Sequence, residues 1–272
     1  MTRTARRNRR SMQVAGTGVA ALLALSACSS SDSDSSATAS GSASASDQLS
    51  GTVTVFAAAS LKESFTTLGE QFERAHPGTK VTFSFGGSDS LAASITGGAP
   101  ADVFASASAK NMQQVEDGGA ASNSTTFADN VMQIAVPPDN PGNVTQLSDL
   151  AKPGLKVALC QPQVPCGAVA AAVLTKANLT VTPVTLGADV KSVLTTVQLG
   201  EVDAGVVYKT DVRAAGTKVK GIEIPPDQNA STSYPIAALT KAPNPAGAAA
   251  FVDYVLSAAG QRVLAQAGFA AP

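Results

Sequence analysis

From Thr52 to the C-terminus, apolar runs with the two-residue period of strands alternate with runs whose apolar positions recur every three or four residues. That alternation constrains the fold more than any other feature of the chain. Val53-Thr54-Val55-Phe56-Ala57-Ala58 reads as a strand, and Leu61, Phe65, Leu68 and Phe72 then share one helical face that His76-Pro77-Gly78 ends. Further strands are expected at 80–85, 102–105, 131–136, 155–159, 181–186, 204–208, 221–224 and 235–239. Helices are expected from 91, at 109–116, 167–177, 190–197, 245–257 and 258–267. Strand–helix alternation builds mostly parallel sheets covered by helices on both faces, so the expected class is α/β. A Pro-rich stretch at 137–153 and a polar one at 225–233 suit a chain that passes twice between two lobes. The expected division is 51–132 plus 235–272 for lobe I and 133–234 for lobe II.

The N-terminus has a different character. Residues 1–27 hold five arginines and no acid, so a net charge of −1 for the whole chain leaves −6 on the rest. An acidic body without a basic cluster has no electrostatic footprint for nucleic acid. The Arg cluster precedes an apolar run at 14–25, shorter than the roughly 20 residues of a membrane span. It ends in Leu25-Ser26-Ala27-Cys28, which resembles a bacterial lipobox and implies cleavage before Cys28 and lipid on its sulfur. Residues 28–50, almost all Ser, Ala, Asp, Thr and Gly, are too polar to bury a core and form a flexible tether with a reach of about 25 Å. The expectation is an exported body, lipid-anchored to the outer face of the cell membrane and touching it only through that anchor.

Of the other cysteines, Cys160 and Cys166 flank Gln161-Pro162-Gln163-Val164-Pro165. Outside the cytoplasm two cysteines so close are expected to form a disulfide. A metal site is the rival, and no third cysteine or histidine lies nearby in the sequence to complete one; the single histidine is His76.

In open α/β sheets ligands bind beyond the C-terminal strand ends, where helices begin. Four such junctions are built of small residues: Ala58-Ala59-Ser60-Leu61, Gly86-Gly87-Ser88-Asp89-Ser90, Val164-Pro165-Cys166-Gly167 and Gly187-Ala188-Asp189-Val190. Helix starts carry N–H groups without intrahelical acceptors and the positive end of the helix dipole, so they attract anions without formal charge. The plainer reading makes Ser60, Ser88 and Asp189 ordinary N-caps, Asp89 a turn residue, Val190 a core residue and Tyr208 a buried strand aromatic.

Together these strings carry a resemblance. Val55-Phe56-Ala57-Ala58-Ala59-Ser60-Leu61 is similar to the first strand and helix of periplasmic molybdate-binding proteins of ABC importers. Ser84-Phe85-Gly86-Gly87-Ser88-Asp89-Ser90-Leu91, Gly97-Gly98-Ala99-Pro100-Ala101-Asp102-Val103-Phe104 and Val164-Pro165-Cys166-Gly167 continue the match. Gly205-Val206-Val207-Tyr208 and Tyr234-Pro235 complete it, in order from about Thr52 to Phe269. The resemblance implies a type II periplasmic-binding-protein fold, two lobes with two crossovers, and a monomeric receptor without enzymatic activity or cofactor. Its ligand would be molybdate or tungstate, delivered to an ABC permease. No protein atom would ligate the metal; the oxyanion would be held by the Ser60 and Ser88 hydroxyls and N–H groups, the Cys166 and Val190 N–H groups, and the Tyr208 phenol. Asp89 is expected to face away from it.

Five alternatives stand beside this reading. Sulfate would pass a donor-only filter and be excluded only by cavity size. Phosphate, still protonated, needs an acceptor and would recruit Asp89. Iron would want several Tyr or carboxylates. A serine hydrolase on Ser60 or Ser88 would need a base, and neither serine lies in a Gly-x-Ser-x-Gly elbow. An adhesion or structural lipoprotein would need no converging donors.

Overall fold

A computed structural model describes residues 49–272. The expected signal segment, Cys28 and the tether up to residue 48 lie outside the described residues. Among the described residues nine strands occur: β1 (Gly51–Ala58), β2 (Thr79–Gly86), β3 (Val103–Ala105), β4 (Thr125–Val136), β5 (Val157–Cys160), β6 (Thr185–Gly187), β7 (Ala204–Tyr208), β8 (Lys220–Glu223) and β9 (Ser231–Ala238). The helices are α1 (Lys62–Ala75), α2 (Ser88–Thr96), α3 (Ala109–Asp117), α4 (Pro165–Lys176), α5 (Val190–Gln198), α6 (Lys209–Ala215), α7 (Pro245–Leu256) and α8 (Ala258–Ala267). None of them is long and apolar enough to cross a membrane.

The strands run across the sheet in the order β2-β1-β3-β9-β4-β7-β5-β6, with β8 added on β4. β1 pairs in parallel with β2 and β3, and β5 with β6 and β7. Every pairing made by β4 or β9 is antiparallel. The expectation of mostly parallel sheet therefore holds for the outer strands and fails at the two central ones. No helix separates β8 from β9, and a strand entered without a crossover helix is free to run antiparallel. β4 changes partner midway: Thr125 to Val131 pair with β9, and Met132 to Ala135 with β7. Both expected division points, 132/133 and 234/235, fall inside these continuous strands.

Three other expectations need correction. β4 starts at Thr125 rather than 131, because Thr125, Thr126, Asp129 and Asn130 hide a strand behind polar side chains. β6 is confined to Thr185–Gly187, an edge strand with exposed Thr185 and Leu186, and Pro183 before it cannot donate to a ladder. α6 was not anticipated, since seven residues beginning Lys209-Thr210-Asp211 carry no apolar stripe.

Each group of strands has its own apolar interior. Val53, Val55, Phe65, Leu68, Phe72, Phe127 and Phe251 pack beneath β1 and β9, and Leu91, Ile95, Phe104 and Met112 cover the other face. Ile134, Val157, Val173, Val193, Val197 and Val206 form the second interior. Ala59, at the end of β1, packs into that second interior and so ties the two groups at one corner.

Asp102 shows what the Gly-Ala-Pro-Ala-Asp string does. Its buried carboxylate accepts the Thr54 N–H at 2.7 Å and the Asn244 N–H at 2.6 Å, joining β1 to the start of α7. Its own N–H and C=O bond Thr54 and Leu239. The motif's carboxylate is thus a structural tie. Asp102→Ala is expected to strand two amides and cost about 2–4 kcal/mol of stability, read from the denaturant midpoint.

Candidate functional site

Five helix starts converge on one cavity. Its wall comprises the β1–α1 corner (Ala58, Ala59, Ser60), the β2–α2 corner (Gly86, Gly87, Ser88), the α4 start (Val164, Pro165, Cys166), the α5 start (Asp189, Val190), and Tyr208 before α6, with Ala107 beside them. All five residues singled out from the sequence, Ser60, Ser88, Cys166, Val190 and Tyr208, border it. Its volume is only about 20 Å³. Pockets for drug-sized organic ligands run to about 300–1,000 Å³, so this one suits a small ion.

The corners form for local reasons. Ala59–Leu61 makes a single 3-10 turn before α1, which keeps the chain tight against the cavity. Gly87 caps α2 and has no room for a side chain: a Cβ there would lie 2.6 Å from Asp89 Oδ1 and 3.0 Å from the Ala188 carbonyl. Two backbones from opposite strand groups can therefore approach at the cavity rim. Pro165 opens α4, where its missing N–H costs nothing. The Cys160–Cys166 disulfide is present, with Cα atoms 5.8 Å apart, and it bends the loop so that α4 begins at the cavity. Gly167 follows because a Cβ would collide with the Gln161 carbonyl.

Neither serine is an N-cap. Ser88 is the first residue of α2, and its Oγ accepts the Ala107 N–H at 3.0 Å. Ser60 Oγ lies 2.9 Å from the Tyr234 hydroxyl. The Tyr208 hydroxyl is fully buried and has no hydrogen-bond partner in the protein. Burial, then the nearby Tyr234 and Asp211, push this phenol well above its ordinary value of 10.0, so it remains a proton donor.

Asp89 does not border the cavity; its Oδ1 is covered beside Gly87 without a partner. The carboxylate residue that does border it is Asp189, and that side chain caps α5 by accepting the Ser192 N–H at 2.8 Å. No Lys or Arg is among the lining residues. His76 packs against the Phe72 ring at the far end of α1, so neither serine has a histidine base. Among the described residues no group of three or more His, Cys, Asp or Glu side chains could hold a metal ion.

An ion cluster that the sequence did not reveal lies behind the wall. Lys191, next to Val190, reaches Asp211 of α6 at 3.0 Å and Glu63 of α1 at 2.7 Å. It therefore joins α1, in the first strand group, to α5 and α6 in the second. Burial lowers the Lys191 pKa, but the two carboxylates more than offset this and hold it raised overall. Asp211 is fully buried, and burial outweighs Lys191 in holding its carboxyl up at about 6 against an ordinary 3.8. Its Oδ2 accepts the Tyr208 N–H at 3.3 Å, which fixes the backbone that carries the phenol.

Comparisons with known proteins fit this geometry. The profile of the bacterial extracellular solute-binding protein family matches residues 53–270. The molybdate-binding protein ModA of Mycobacterium tuberculosis is 42% identical over 222 residues, 81% of this chain and 85% of its own. The chain belongs to the bacterial extracellular solute-binding proteins and, within them, to the ModA family. Solute-binding proteins of this family are not enzymes. A putative ABC transporter substrate-binding lipoprotein of Bacillus subtilis, YvgL, is 33% identical over 81% of this chain and 86% of its own. The periplasmic molybdate-binding protein of Azotobacter vinelandii superposes with a TM-score of 0.72 at 22% identity, covering 81% of this chain and 99% of its own. The sulfate-binding protein SubI of M. tuberculosis gives 0.71 at 18%, over 81% and 86%. The fold is the α/β periplasmic-binding-protein fold, shared by proteins named for either anion.

An acid held up in the folded state binds its proton more tightly there than in the unfolded chain. Asp211 therefore costs nothing below about pH 4, and its cost grows as pH rises to about 6. Asp211→Asn is expected to flatten the fall of stability across that window, by up to about 2–3 kcal/mol. Urea midpoints measured against pH for both proteins give the difference.

Proposed function

We propose that this solute-binding protein captures molybdate or tungstate in the five-cornered cavity and delivers it to an ABC permease for import. The observation that carries the reading is a small cavity walled by helix starts and hydroxyls, with no basic side chain and no free carboxylate in its wall. A tetrahedral dianion is the ligand such a wall suits. The ligand contacts would be the hydroxyls of Ser60, Ser88 and Tyr208 and the N–H groups of Ser60, Ser88, Cys166 and Val190. Hydrogen bonds to a charged group contribute roughly 1.5–3 kcal/mol each, so seven such donors suffice for tight binding after closure and immobilisation are subtracted. The name and identity of the M. tuberculosis relative support molybdate over other anions.

The selectivity follows from the same wall. An oxyanion that still carries a proton needs an acceptor, and donors offer none. With Asp189 turned to its own helix and Asp89 outside the wall, phosphate is disfavoured. Sulfate satisfies the donors and is distinguished by size.

The two strand groups are the two lobes of a type II receptor in this reading, 51–132 plus 235–272 and 133–234, crossed by β4 and β9. Closure about these strands brings the five helix starts together around the ligand, and the Glu63–Lys191 pair spans the two lobes in the closed state. A permease distinguishes loaded from empty receptor by that closure. The anchor would be lipid on Cys28, at the outer face of the cell membrane; the name of the B. subtilis relative supports a lipoprotein.

Calorimetric titration tests the reading. Molybdate and tungstate are expected to bind tightly, with sulfate and phosphate weaker by at least about 100-fold, or about 2.7 kcal/mol. Equal competition by sulfate or phosphate would overturn it. Tyr208→Phe is expected to weaken molybdate by about 1–3 kcal/mol while leaving the melting temperature nearly unchanged, whereas Ser88→Ala is expected to weaken it similarly and also to lower stability by about 1–3 kcal/mol, because it strands the Ala107 N–H.

A further inference from the structure

We propose that Tyr234, oriented by Asn130, fixes the direction of the Ser60 hydroxyl proton and so sets the cavity's preference for unprotonated oxyanions. The inference rests on the oxyanion reading above and adds two positioning residues that do not border the cavity.

Both residues lie on the central antiparallel strands, Asn130 on β4 and Tyr234 on β9, and both are buried. The direction of each hydrogen bond can be assigned in turn. Asn130 Oδ1 accepts the Val131 N–H at 3.0 Å, which turns the amide nitrogen the other way. That nitrogen donates to Thr210 Oγ1 at 2.8 Å and lies 3.4 Å from the Tyr234 hydroxyl. An amide NH₂ cannot accept. The Tyr234 oxygen receives a proton from Asn130, and its own is assigned to Ser60 Oγ, the hydroxyl within hydrogen-bond distance at 2.9 Å, ahead of the Tyr208 hydroxyl, which lies outside that range. With one Ser60 lone pair filled, the Ser60 proton is the group left to face the cavity. Burial holds the Tyr234 phenol above its ordinary range, so its proton stays in this chain of donors.

Ser88 shows the same wiring built from backbone. Its Oγ accepts the Ala107 N–H, a group that can only donate, and its proton is likewise left for the cavity. What a peptide group does at Ser88, a tyrosine held by an asparagine does at Ser60. The two differ in one respect. Backbone direction is fixed, whereas a phenol proton is fixed only while Asn130 supplies the opposing donor. Without Tyr234, Ser60 is free to rotate, donate elsewhere and accept a proton from a ligand.

The test is a double-mutant cycle with two anions. Molybdate and inorganic phosphate, the latter partly protonated near pH 7, are titrated into the wild type, Tyr234→Phe, Ser60→Ala and the double variant. Tyr234→Phe is expected to weaken molybdate by about 5–20-fold while phosphate is unchanged or tighter. In the Ser60→Ala background the same change is expected to alter molybdate binding by less than about twofold, because Tyr234 acts through Ser60. Equal loss for both anions, or equal loss in both backgrounds, would show that Tyr234 only packs. Should Tyr234→Phe fail to fold, Asn130→Leu keeps the phenol and removes its orienting donor. It is expected to lower the molybdate-to-phosphate ratio by about 2–5-fold, and an unchanged ratio overturns the inference. A wild-type protein that ignores molybdate defeats the oxyanion reading itself; one that binds it while Tyr234→Phe is neutral defeats only this inference.

Discussion

The structure depends on unpaired backbone N–H groups gathered at one point. Each helix start that reaches the cavity carries amides without acceptors in their own helix and the positive end of a dipole. Left alone, buried donors of this kind are costly; facing a common small cavity, they form a site for one small anion. A lysine or arginine would bind anions more strongly but with less regard to protonation. The acidic body can host such a site because the attraction is local and does not come from net charge.

The small residues at the corners follow from this requirement. Gly87 lets the α2 cap approach the Ala188 carbonyl, and Ala59 inserts into the interior of the other strand group. The disulfide fixes where α4 begins. Larger side chains at these points would separate the helix starts and disperse the donors. Behind them, Lys191 and the two carboxylates join three of the same corners, and Asn130 and Tyr234 tie two of these, through Thr210 and Ser60, to the central strands. Part of the protein's buried polar set, Ser60, Ser88, Asn130, Thr210 and Asp211, thus lies at or directly behind the cavity wall.

Much of this was legible in the chain. Strand and helix periods located most elements, and the small-residue corners pointed to the junctions that meet at the cavity. β4 was half hidden because the polar residues of its first half come in pairs, Thr125-Thr126 and Asp129-Asn130, which breaks the two-residue period, and α6 because it is too short to show an apolar stripe. The capping reading of Ser60 and Ser88 failed for a different reason. Their oxygens bond Tyr234 and Ala107, residues 174 and 19 positions away, and no local rule reports such partners. Asp89, read as a turn residue facing away, lies outside the wall, and Asp189, read as an N-cap, caps α5; that Asp189 also borders the cavity depends on how the corners meet in space.

By itself the sequence determined the class of fold, the disulfide, the family and the residue types at each corner, because these follow from local periodicity, spacing and the chemistry of short strings. Only the tertiary structure decided that five helix starts share one cavity, that the two central strands run antiparallel, and that Asp211, buried, and Lys191, partly exposed, pair behind the wall. Those facts concern the direction and mutual distance of groups far apart in the chain. Periodicity shows which face of an element is buried, but what that face meets is settled only when all the elements are packed together.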